Sequence, residues 1–317
     1  MKQIGKLAFF FILFSFLFCT CGNGTTDGGG TPDPKITVVT QAGVNRVEDI
    51  LMAGTGGAVI NWGDGNTYSF TLVPFDYGDF PKTGQEFDHT YAAAGKYTIT
   101  ITGSGLTHID WNNNTLESVA FSDLKALEYV DFWNSGLASI SVSGCPAIEY
   151  FECDYNNLTS IPFNSLKSVK ELWIDDNLLS GSLNLSGFTA LKVLACADNQ
   201  LTSLNLTGCT ALEGLYCGGN QLTSLNLTGY SKLRTLFCQN NQLTALNLSG
   251  CASIESIRCY YNELEAIDLN TLFGQLPDYK GTELDGIAYI YCFNPGYETG
   301  VYNASIATNK GWNVGDD

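Results

Sequence analysis

Apolar residues return at one regular interval over the second half of the chain. Units of 21 residues begin at Gly105, Ala126, Ala147, Ser168, Ala190, Ala211, Lys232 and Ser253, and the fourth carries one extra residue near Gly181. Within a unit, apolar residues occupy the second, fifth, seventh, twelfth, fifteenth and seventeenth places. A repeat of this length is one supersecondary unit that buries its apolar side against the next copy. The pattern therefore predicts a stack of coils.

The second, fifth and seventh places predict the inward face of one short strand per coil and of its entry, with successive strands paired in parallel about 4.8 Å apart. The seventh place holds Trp111, Phe132, Cys153, Ile174, Cys196, Cys217, Cys238 and Cys259, and the twentieth holds Cys145, Cys209 and Cys251 among apolar residues. Because cysteine alternates with apolar residues, the thiols are predicted to be small buried hydrophobes. Strand spacing suits disulfides poorly, and a metal ladder lacks both histidines and paired C-x-x-C motifs.

The tenth place is usually asparagine, whose amide is predicted to serve backbone groups where the chain leaves the strand. Ser135 interrupts this series in the second unit. The pattern L-x-x-L-x-[C]-x-x-N-x-L-x-x-L-x-L resembles the leucine-rich repeat, in a short variant familiar from surface lipoproteins of gut anaerobic bacteria. The resemblance implies eight repeats over residues 105–273. Residues 274–317 then hold an insertion, a ninth strand with Cys292 at the seventh place, and a C-terminal cap with a short helix and Trp312.

Residues 35–104 carry strand and turn signals. "KITVVT" and "AVINW" are β-rich, "GDGN" is a hairpin turn, and "GKYTITITG" alternates at period two. The pair "INWGDGNT" and "FDHTYAAAGKYTITITG" resembles the PKD-type Ig-like domain, which implies a β-sandwich used as a spacer or recognition module. Asp64 is expected to hold the turn through backbone N–H groups rather than bind a cation, and His89 to be structural.

The N-terminus predicts export. Lys2 and Lys6 precede an apolar run that ends at Phe18, which is typical of a signal peptide. The following cysteines resemble the lipobox of a bacterial lipoprotein. The resemblance implies that residues 1–21 form the lipoprotein signal and that cleavage leaves Cys21 as the lipidated first residue. A plain secretory signal is the alternative. Residues 22–34 are Gly, Thr, Asp and Pro and predict a flexible tether. We expect an outer-membrane lipoprotein exposed at the cell surface.

Charge limits the partners of this chain. It carries 32 acidic against 15 basic residues, for a formal net charge of −17. Nucleic acid and anionic bilayer surfaces are therefore disfavoured, because both need a basic footprint. The only membrane contact expected is the N-terminal lipid anchor.

Outward residues of the coil strands, at the sixth and eighth places, predict the recognition surface on the concave face. Carboxylates gather toward its N-terminal half and aromatics toward its C-terminal half. The candidate ligand-binding residues are Trp133, Trp173, Tyr216, Phe237, Arg258, Tyr260, Tyr291, Asp131, Glu152, Asp154 and Asp175. Exposed aromatics forgo burial worth roughly 1.5–3 kcal/mol each, which favours a contact surface. The alternative is that they only stack on one another along the sheet.

The predicted fold is mainly β: an Ig-like (PKD-like) β-sandwich followed by a leucine-rich-repeat solenoid with a parallel concave sheet and a C-terminal cap. The predicted function is non-catalytic recognition of a protein partner, with a carbohydrate-binding lipoprotein as the alternative. A glycosidase using Asp131, Glu152, Asp154 and Asp175 is disfavoured, because an open face does not separate the pKa values of an acid and a base. No cofactor is predicted. Two interpretations of the same carboxylates stay open: they hold Ca²⁺, or they are solvated and only repel one another.

Overall fold

The structure is a computed structural model that describes residues 34–75, 84–292 and 302–315. The predicted signal segment, Cys21 and the tether up to residue 33 lie outside the described residues. Within them, no helix has the length and apolar character needed to cross a bilayer.

The N-terminal region is built from antiparallel strands. They are β1 (Lys35–Thr40), β2 (Val44–Gly54), β3 (Gly57–Asn61), β4 (Thr67–Thr71), β5 (Gln85–Gly95) and β6 (Thr98–Thr102). The predicted hairpin is present, since β3 and β4 pair in antiparallel register and the Trp62 N–H donates to the Asn66 carbonyl at 3.0 Å. The strand β2 was not predicted, because its acidic and apolar residues follow no simple alternation.

Asp64 and His89 act within that region as structural groups. An Asp64 carboxylate oxygen accepts the Asn66 N–H at 3.0 Å, as expected for a turn residue, and the other lies 2.8 Å from His89 Nε2. The His89 ring stacks on Trp62 with centroids 4.6 Å apart and planes 8° apart. The imidazole thus ties the hairpin turn to β5.

The repeats form the predicted coils, each with a short strand on one side. In chain order the strands are β7 (Leu106–Trp111), β8 (Leu116–Ser122), β9 (Tyr129–Asp131), β10 (Ser139–Ser143), β11 (Tyr150–Glu152), β12 (Glu171–Trp173), β13 (Ser180–Asn184), β14 (Val193–Ala195), β15 (Gln200–Asn205), β16 (Gly214–Tyr216), β17 (Thr235–Phe237), β18 (Ser256–Arg258), β19 (Tyr289–Tyr291) and β20 (Asn313–Gly315). A 3₁₀ turn spans Phe163–Ser165, and the helices are α1 (Ala266–Gln275) and α2 (Ser305–Thr308).

Two large sheets run through both regions of the chain. Among the described residues, one sheet has the order β20-β19-β18-β17-β16-β14-β12-β11-β9-β7-β2-β5, and the other has the order β10-β8-β1-β6-β3-β4. A third, small sheet pairs β13 with β15. The repeat strands of the first sheet are named the concave strands after the face predicted for them. They are β7, β9, β11, β12, β14, β16, β17, β18, β19 and β20, and they pair in parallel. In contrast, β2 pairs antiparallel with β7, and β1 pairs antiparallel with β8.

The N-terminal strands cap the first coil. Because "YTITITG" runs almost directly into the first unit, the sequence predicts that this strand covers it. In the structure β6 lies between β1 and β3, so both of its edges are already paired. The backbone groups of the first coil are satisfied by β1 and β2 instead, and one hydrophobic core runs from Ile36 to Trp312.

The thiols lie in the dry interior, as predicted. The seventh-place residues Cys153, Cys196, Cys217, Cys238, Cys259 and Cys292 are each 0% exposed, and Cys145, Cys209 and Cys251 are also buried. All nine cysteines of the described residues are free thiols. Burial raises the pKa of the Cys217 thiol well above its ordinary value, because the thiolate would lose its hydration.

The tenth-place asparagines join neighbouring coils. Asn220 Nδ2 donates to the carbonyls of Cys217 and Gly218 in its own coil and of Cys196 in the coil before, at 3.2, 3.2 and 2.9 Å. Its Oδ1 accepts the Leu201 N–H at 2.9 Å. The same pattern recurs at Asn156, Asn177, Asn199, Asn241 and Asn262. In the second coil, Ser135 Oγ donates to the Trp111 carbonyl in their place.

The C-terminal end departs from the repeat. The repeat pattern predicts an extended return in the eighth unit, but the chain forms α1, which starts with a capping box between Glu265 and Asp268. The ninth strand is present as β19, and β20 adds a strand that was not predicted. Trp312 closes this end as expected: it is 2% exposed, stacks 5.7 Å from Tyr279, and donates from Nε1 to the Pro277 carbonyl at 2.9 Å.

Candidate functional site

Each concave strand presents three outward places, not two. The middle strand residue and the seventh place point into the core, so the fourth, sixth and eighth places face the opposite side. In β16, for example, Leu215 and Cys217 are 0% exposed while Tyr216 is half-buried. The sequence interpretation used the sixth and eighth places and missed the fourth, although the alternation around the fifth place indicates it.

Five sixth-place residues form a continuous row that we call the aromatic stripe: Trp173, Tyr216, Phe237, Arg258 and Tyr291. Trp173 and Tyr216 are stacked, with centroids 6.3 Å apart across the small Ala195. Phe237 meets Tyr216 edge to face at 5.2 Å and 88°. All five side chains are half-buried, so the stripe is accessible along its length.

Arg258 continues the stripe as a cation between rings. Its guanidinium carbon lies 4.4 Å from the centroid of Phe237 and 5.9 Å from that of Tyr291. A cation at these distances is attracted by the electron-rich ring faces. The faces of these rings are therefore largely occupied by neighbours, and the row presents ring edges and the ends of polar groups to a partner.

Two further predicted residues, Trp133 and Tyr260, lie at the eighth place and contact tyrosines at the ninth. Trp133 meets Tyr155 at 5.9 Å and 72°, and Tyr260 meets Tyr261 at 5.2 Å and 80°. Tyr155 and Tyr261 have φ of 57° and 53° and are 44% and 49% exposed. A bulky residue in the left-handed region is uncommon, so these exposed rings stand on strained backbone.

The ninth place is left-handed in every coil from the first to the eighth. It carries Asn113, Asn134, Tyr155, Asp176, Asp198, Gly219, Asn240 and Tyr261. Asparagine, aspartate and glycine tolerate this conformation, which explains their frequency. The left-handed ninth place was not among the predicted features, although the recurrence of Asn, Asp and Gly just before the tenth-place asparagine is a sequence signal for it.

Two of the predicted carboxylates of the N-terminal half, Asp131 and Glu152, are buried, contrary to the expectation that they face solvent. Asp131 and Glu152 are 6% and 8% exposed, and they accept hydrogen bonds from the hydroxyls of Tyr129 and Tyr150. Burial raises the pKa of Asp131 well above its ordinary value, and the charges of Glu152 and Asp110 raise it further. These groups form a packed hydrogen-bonded cluster rather than a solvated acidic surface.

Asp154 and Asp175 serve the backbone of the solenoid. Asp154 is 0% exposed, and its Oδ1 accepts the Asp175 N–H at 2.7 Å. Asp175 Oδ1 in turn accepts the Ala197 N–H at 2.6 Å. The expectation that Asp154 offers its carboxylate to solvent is therefore wrong. The reason is that an outward short side chain on one coil reaches the backbone of the next.

A column of four stacked rings, three of them at the fourth place, was not predicted from the sequence. Phe75 stacks on His108 at 4.2 Å, His108 on Tyr129 at 5.5 Å, and Tyr129 on Tyr150 at 4.4 Å, with interplanar angles of 11°, 21° and 6°. This column runs beside the buried carboxylates. It supports the interpretation that part of the aromatic content of this sheet stabilises the sheet itself.

No group of three or more His, Cys, Asp or Glu side chains is placed to hold a metal ion within residues 34–75, 84–292 and 302–315. Clefts of about 360 and 340 Å³ lie on the return side of the coils, around Lys125 and Lys167 and around Tyr230. Neither cleft is lined by the concave strands.

The fold is that of a mainly β solenoid similar to internalin leucine-rich-repeat proteins. Among solved structures the chain is similar to the functional domain of InlJ from Listeria monocytogenes, which includes a cysteine ladder. The TM-score is 0.51 at 18% identity, and the match covers 71% of this chain and 56% of that one. An internalin C2 from Listeria monocytogenes strain 4b F2365 gives a TM-score of 0.41 at 20% identity, covering 50% and 73%. The sequence matches no protein-family model and no curated protein.

Proposed function

We propose that this chain is a non-catalytic surface protein that binds a protein partner through the aromatic stripe. The observation that carries the proposal is the half-buried row Trp173, Tyr216, Phe237, Arg258 and Tyr291 on the outward side of a rigid parallel sheet. Aromatic residues and arginine are the types most enriched at the energetic centres of protein interfaces.

The rigidity of the stripe favours tight binding. Its strands are joined in constant register, with Tyr216 opposite Phe237 and Phe237 opposite Arg258. Side chains already packed against one another lose little conformational freedom when a partner docks, which lowers the entropic cost of association. The likeness to an internalin solenoid is consistent with this use of the fold.

Carbohydrate binding through the same stripe is the alternative function. It is favoured by the number of aromatic side chains in the row, because sugar rings bind to aromatic faces. It is disfavoured further along the row, where the Phe237 ring is in contact with both Tyr216 and Arg258. We therefore place protein recognition first.

We also propose that the predicted lipid anchor at Cys21 and the tether over residues 22–34 hold the folded region, with its PKD-like part over residues 35–104, at the cell surface. The two-sheet arrangement that continues into the solenoid supports a rigid spacer, since it sets the stripe at a fixed distance from the tether. Metabolic labelling with a fatty-acid analogue tests the anchor, and loss of labelling in Cys21→Ala is the expected result.

The function is tested by comparing three forms of the exported chain: wild type, the double variant Trp173→Ala and Tyr216→Ala, and Phe163→Ala. Phe163 is a half-buried aromatic on the return side, so its truncation matches the packing loss without touching the stripe. Proteins captured from cell-surface extracts are identified and purified, and the affinity of each form is measured by calorimetry. We expect the double variant to lose at least about 30-fold in affinity and the control to stay within about twofold.

The opposite results are equally informative. A purified partner that binds the double variant as tightly as the wild type contradicts recognition by the stripe. A glycan array on the same three forms addresses the alternative: saturable glycan binding that only the double variant loses, with no protein partner, replaces protein recognition by carbohydrate recognition.

A further inference from the structure

We propose that Arg258 binds a carboxylate of the protein partner, an aspartate or glutamate side chain, with Ser256 and Gln239 completing the site. This inference rests on the proposed function and adds the chemistry of the ligand. We call these three residues the arginine site.

Arg258 is an isolated positive charge. Among the fourth-, sixth- and eighth-place residues of the described concave strands, it is the one lysine or arginine. Two other cations of the solenoid are paired at the third place, Lys170 with Glu149 at 2.6 Å and Arg234 with Glu255 at 2.8 Å. Arg258 has no such carboxylate within the described residues, although the chain carries a net charge of −17. The contacts of its guanidinium within the described residues are with the rings of Phe237 and Tyr291.

The guanidinium is held in place before any ligand arrives. Contacts with Phe237 at 4.4 Å and Tyr291 at 5.9 Å fix it between two coils. An arginine that is stacked in this way loses less rotamer freedom on binding than an extended surface lysine. The fork of N–H donors matches the two oxygens of a carboxylate.

Three polar atoms around this position have no hydrogen-bond partner: Arg258 Nε, Ser256 Oγ and Gln239 Oε1. Ser256 is 9% exposed and lies two residues before Arg258 on β18, so both side chains are on the same face of the sheet. Gln239 follows β17 in the preceding coil. Unsatisfied buried polar groups are costly. A ligand relieves that cost if it offers an acceptor to Arg258 Nε and Ser256 Oγ and a donor to Gln239 Oε1.

Side-chain rotation brings these atoms to the ligand. The serine needs only to turn its hydroxyl hydrogen, and rotamer changes of residues such as Gln239 and Arg258 are common when interfaces form. The resulting set is two donors beside one acceptor. This set matches an acidic side chain beside a backbone N–H, as a peptide presents them.

The same features disfavour other anions. Phosphate groups in proteins are recognised by clusters of arginine, whereas this face offers one positive charge in a strongly acidic chain. An acidic sugar would need a free aromatic face beside the arginine, and the Phe237 ring is already covered by it. A singly charged carboxylate on a polypeptide is the ligand that fits.

The test is a selection of random peptides displayed on phage against the immobilised exported chain. Retained peptides are expected to be enriched at least about threefold in Asp or Glu. A synthetic copy of a retained peptide with its Glu replaced by Gln should bind at least about tenfold more weakly, as expected for a charge-assisted bidentate pair. Absence of acidic enrichment among retained peptides overturns the inference.

Variants of the chain locate the effect. Arg258→Gln should abolish the acidic enrichment, Arg258→Glu should select Lys and Arg instead, and Ser256→Ala should weaken acidic peptides by about threefold. Arg234→Gln is the matched control, because it removes an arginine from the third place and should leave the selection unchanged. If thermal unfolding shows that Arg258→Gln is not folded, Arg258→Lys replaces it and should still weaken the peptides, since lysine lacks the fork.

The outcomes separate this inference from the proposed function. Peptides that are lost on Trp173→Ala with Tyr216→Ala but bind Arg258→Gln normally keep the stripe as a recognition surface and refute the arginine site. Peptides that are insensitive to both changes refute both proposals. Acidic glycans that bind wild type and not Arg258→Gln, with no peptide retained, refute the peptide carboxylate as ligand.

Discussion

At the scale of single residues, the thiols show how burial decides chemistry. Cys196, Cys217, Cys238 and Cys259 follow one another on adjacent coils, each 0% exposed and each with its pKa raised by desolvation. A thiol in this position is a small apolar filler and a poor nucleophile, because the reactive species is the thiolate. The regular interval of these residues serves packing.

The buried thiols predict a loss of stability in alkali. An unfolded cysteine titrates near its ordinary pKa of 9.0, whereas the folded thiols keep their protons. Above that pH the unfolded state binds fewer protons than the folded state, so the free energy of unfolding falls as pH rises, by about 1.4 kcal/mol per pH unit for each such thiol. Urea titrations under reducing conditions should show Cys217→Ala with a slope about 1.4 kcal/mol per pH unit shallower than wild type.

The control for this measurement is Ile174→Val, which alters the same seventh place without adding or removing a titrating group. It should lower the free energy of unfolding by roughly 1 kcal/mol equally at all pH values. A Cys217→Ala slope equal to that of wild type would mean that the thiol does not titrate differently in the two states.

Sequence reasoning was reliable at this scale where a residue repeats in phase with the coil. It placed the cysteines and the aromatic stripe correctly on opposite sides of the strand. It was wrong for Asp154. The position in the repeat tells on which side of the strand a side chain lies, but not whether that side chain hydrogen-bonds to the backbone of the next coil. The Asp154 carboxylate does so at 2.7 Å. The unpartnered atoms of Ser256 and Gln239 were also beyond prediction, since they depend on detailed packing.

At the scale of elements, the concave strands from β9 onward are only three residues long and depend on the turns that follow them. From the third coil to the eighth, each turn is formed by a left-handed ninth residue and a tenth-place asparagine whose amide bonds the carbonyls of two coils. Short parallel strands of this kind have few hydrogen bonds of their own. The asparagines therefore contribute much of the connection between neighbouring coils.

Replacing a tenth-place asparagine should be severe. Asn220→Ala leaves three carbonyls and the Leu201 N–H without their buried partner, and we expect a loss of about 2–4 kcal/mol in the free energy of unfolding. The matched variant is Asn226→Ala, whose exposed side chain accepts only the Thr228 N–H at 3.1 Å, with an expected loss below about 1 kcal/mol. Urea unfolding measures both, and similar losses would contradict the role given to the tenth place.

The elements that escaped prediction have physical reasons. The helix α1 replaces the last return of the solenoid because "AIDLNTLFGQ" lacks the Leu-Asn-Leu-Thr-Gly return and has a capping box at its start. The strand β2 has an irregular pattern because parts of it pair with two different neighbours, β5 and β7, with shifts in register. Local patterns do not reveal pairing between segments far apart in sequence.

At the scale of the whole molecule, the predicted boundary between residues 104 and 105 is crossed by both large sheets. The pairing of β1 with β8 extends over six residues of each strand, from Lys35 to Thr40. Asn114 strengthens the same junction, because its amide donates to the Glu48 carbonyl at 2.9 Å and its Oδ1 accepts the Glu48 N–H at 3.2 Å. The N-terminal strands and the first coil thus share hydrogen bonds as well as core.

This continuity predicts that the N-terminal strands and the first coil unfold together. In native-state hydrogen exchange followed along a urea series, the amides of β1 and β8 should lose protection with the same free energy, within about 0.5 kcal/mol. Coils at the far end are free to open earlier, because a solenoid is held mainly by nearest neighbours. Loss of protection in β1 while β8 stays protected would show that the two regions are independent units.

The identical bonding of successive coils has a consequence for the gene. Since the amides of the tenth-place asparagines from Asn156 to Asn262 bond the coil before them in the same way, a coil of this part copied or deleted in frame by recombination meets neighbours that already fit it. The two end structures would be unaffected by such an event. Lineages can therefore lengthen or shorten the outward face of the concave strands, and exchange the side chains on it, while inheriting the same scaffold.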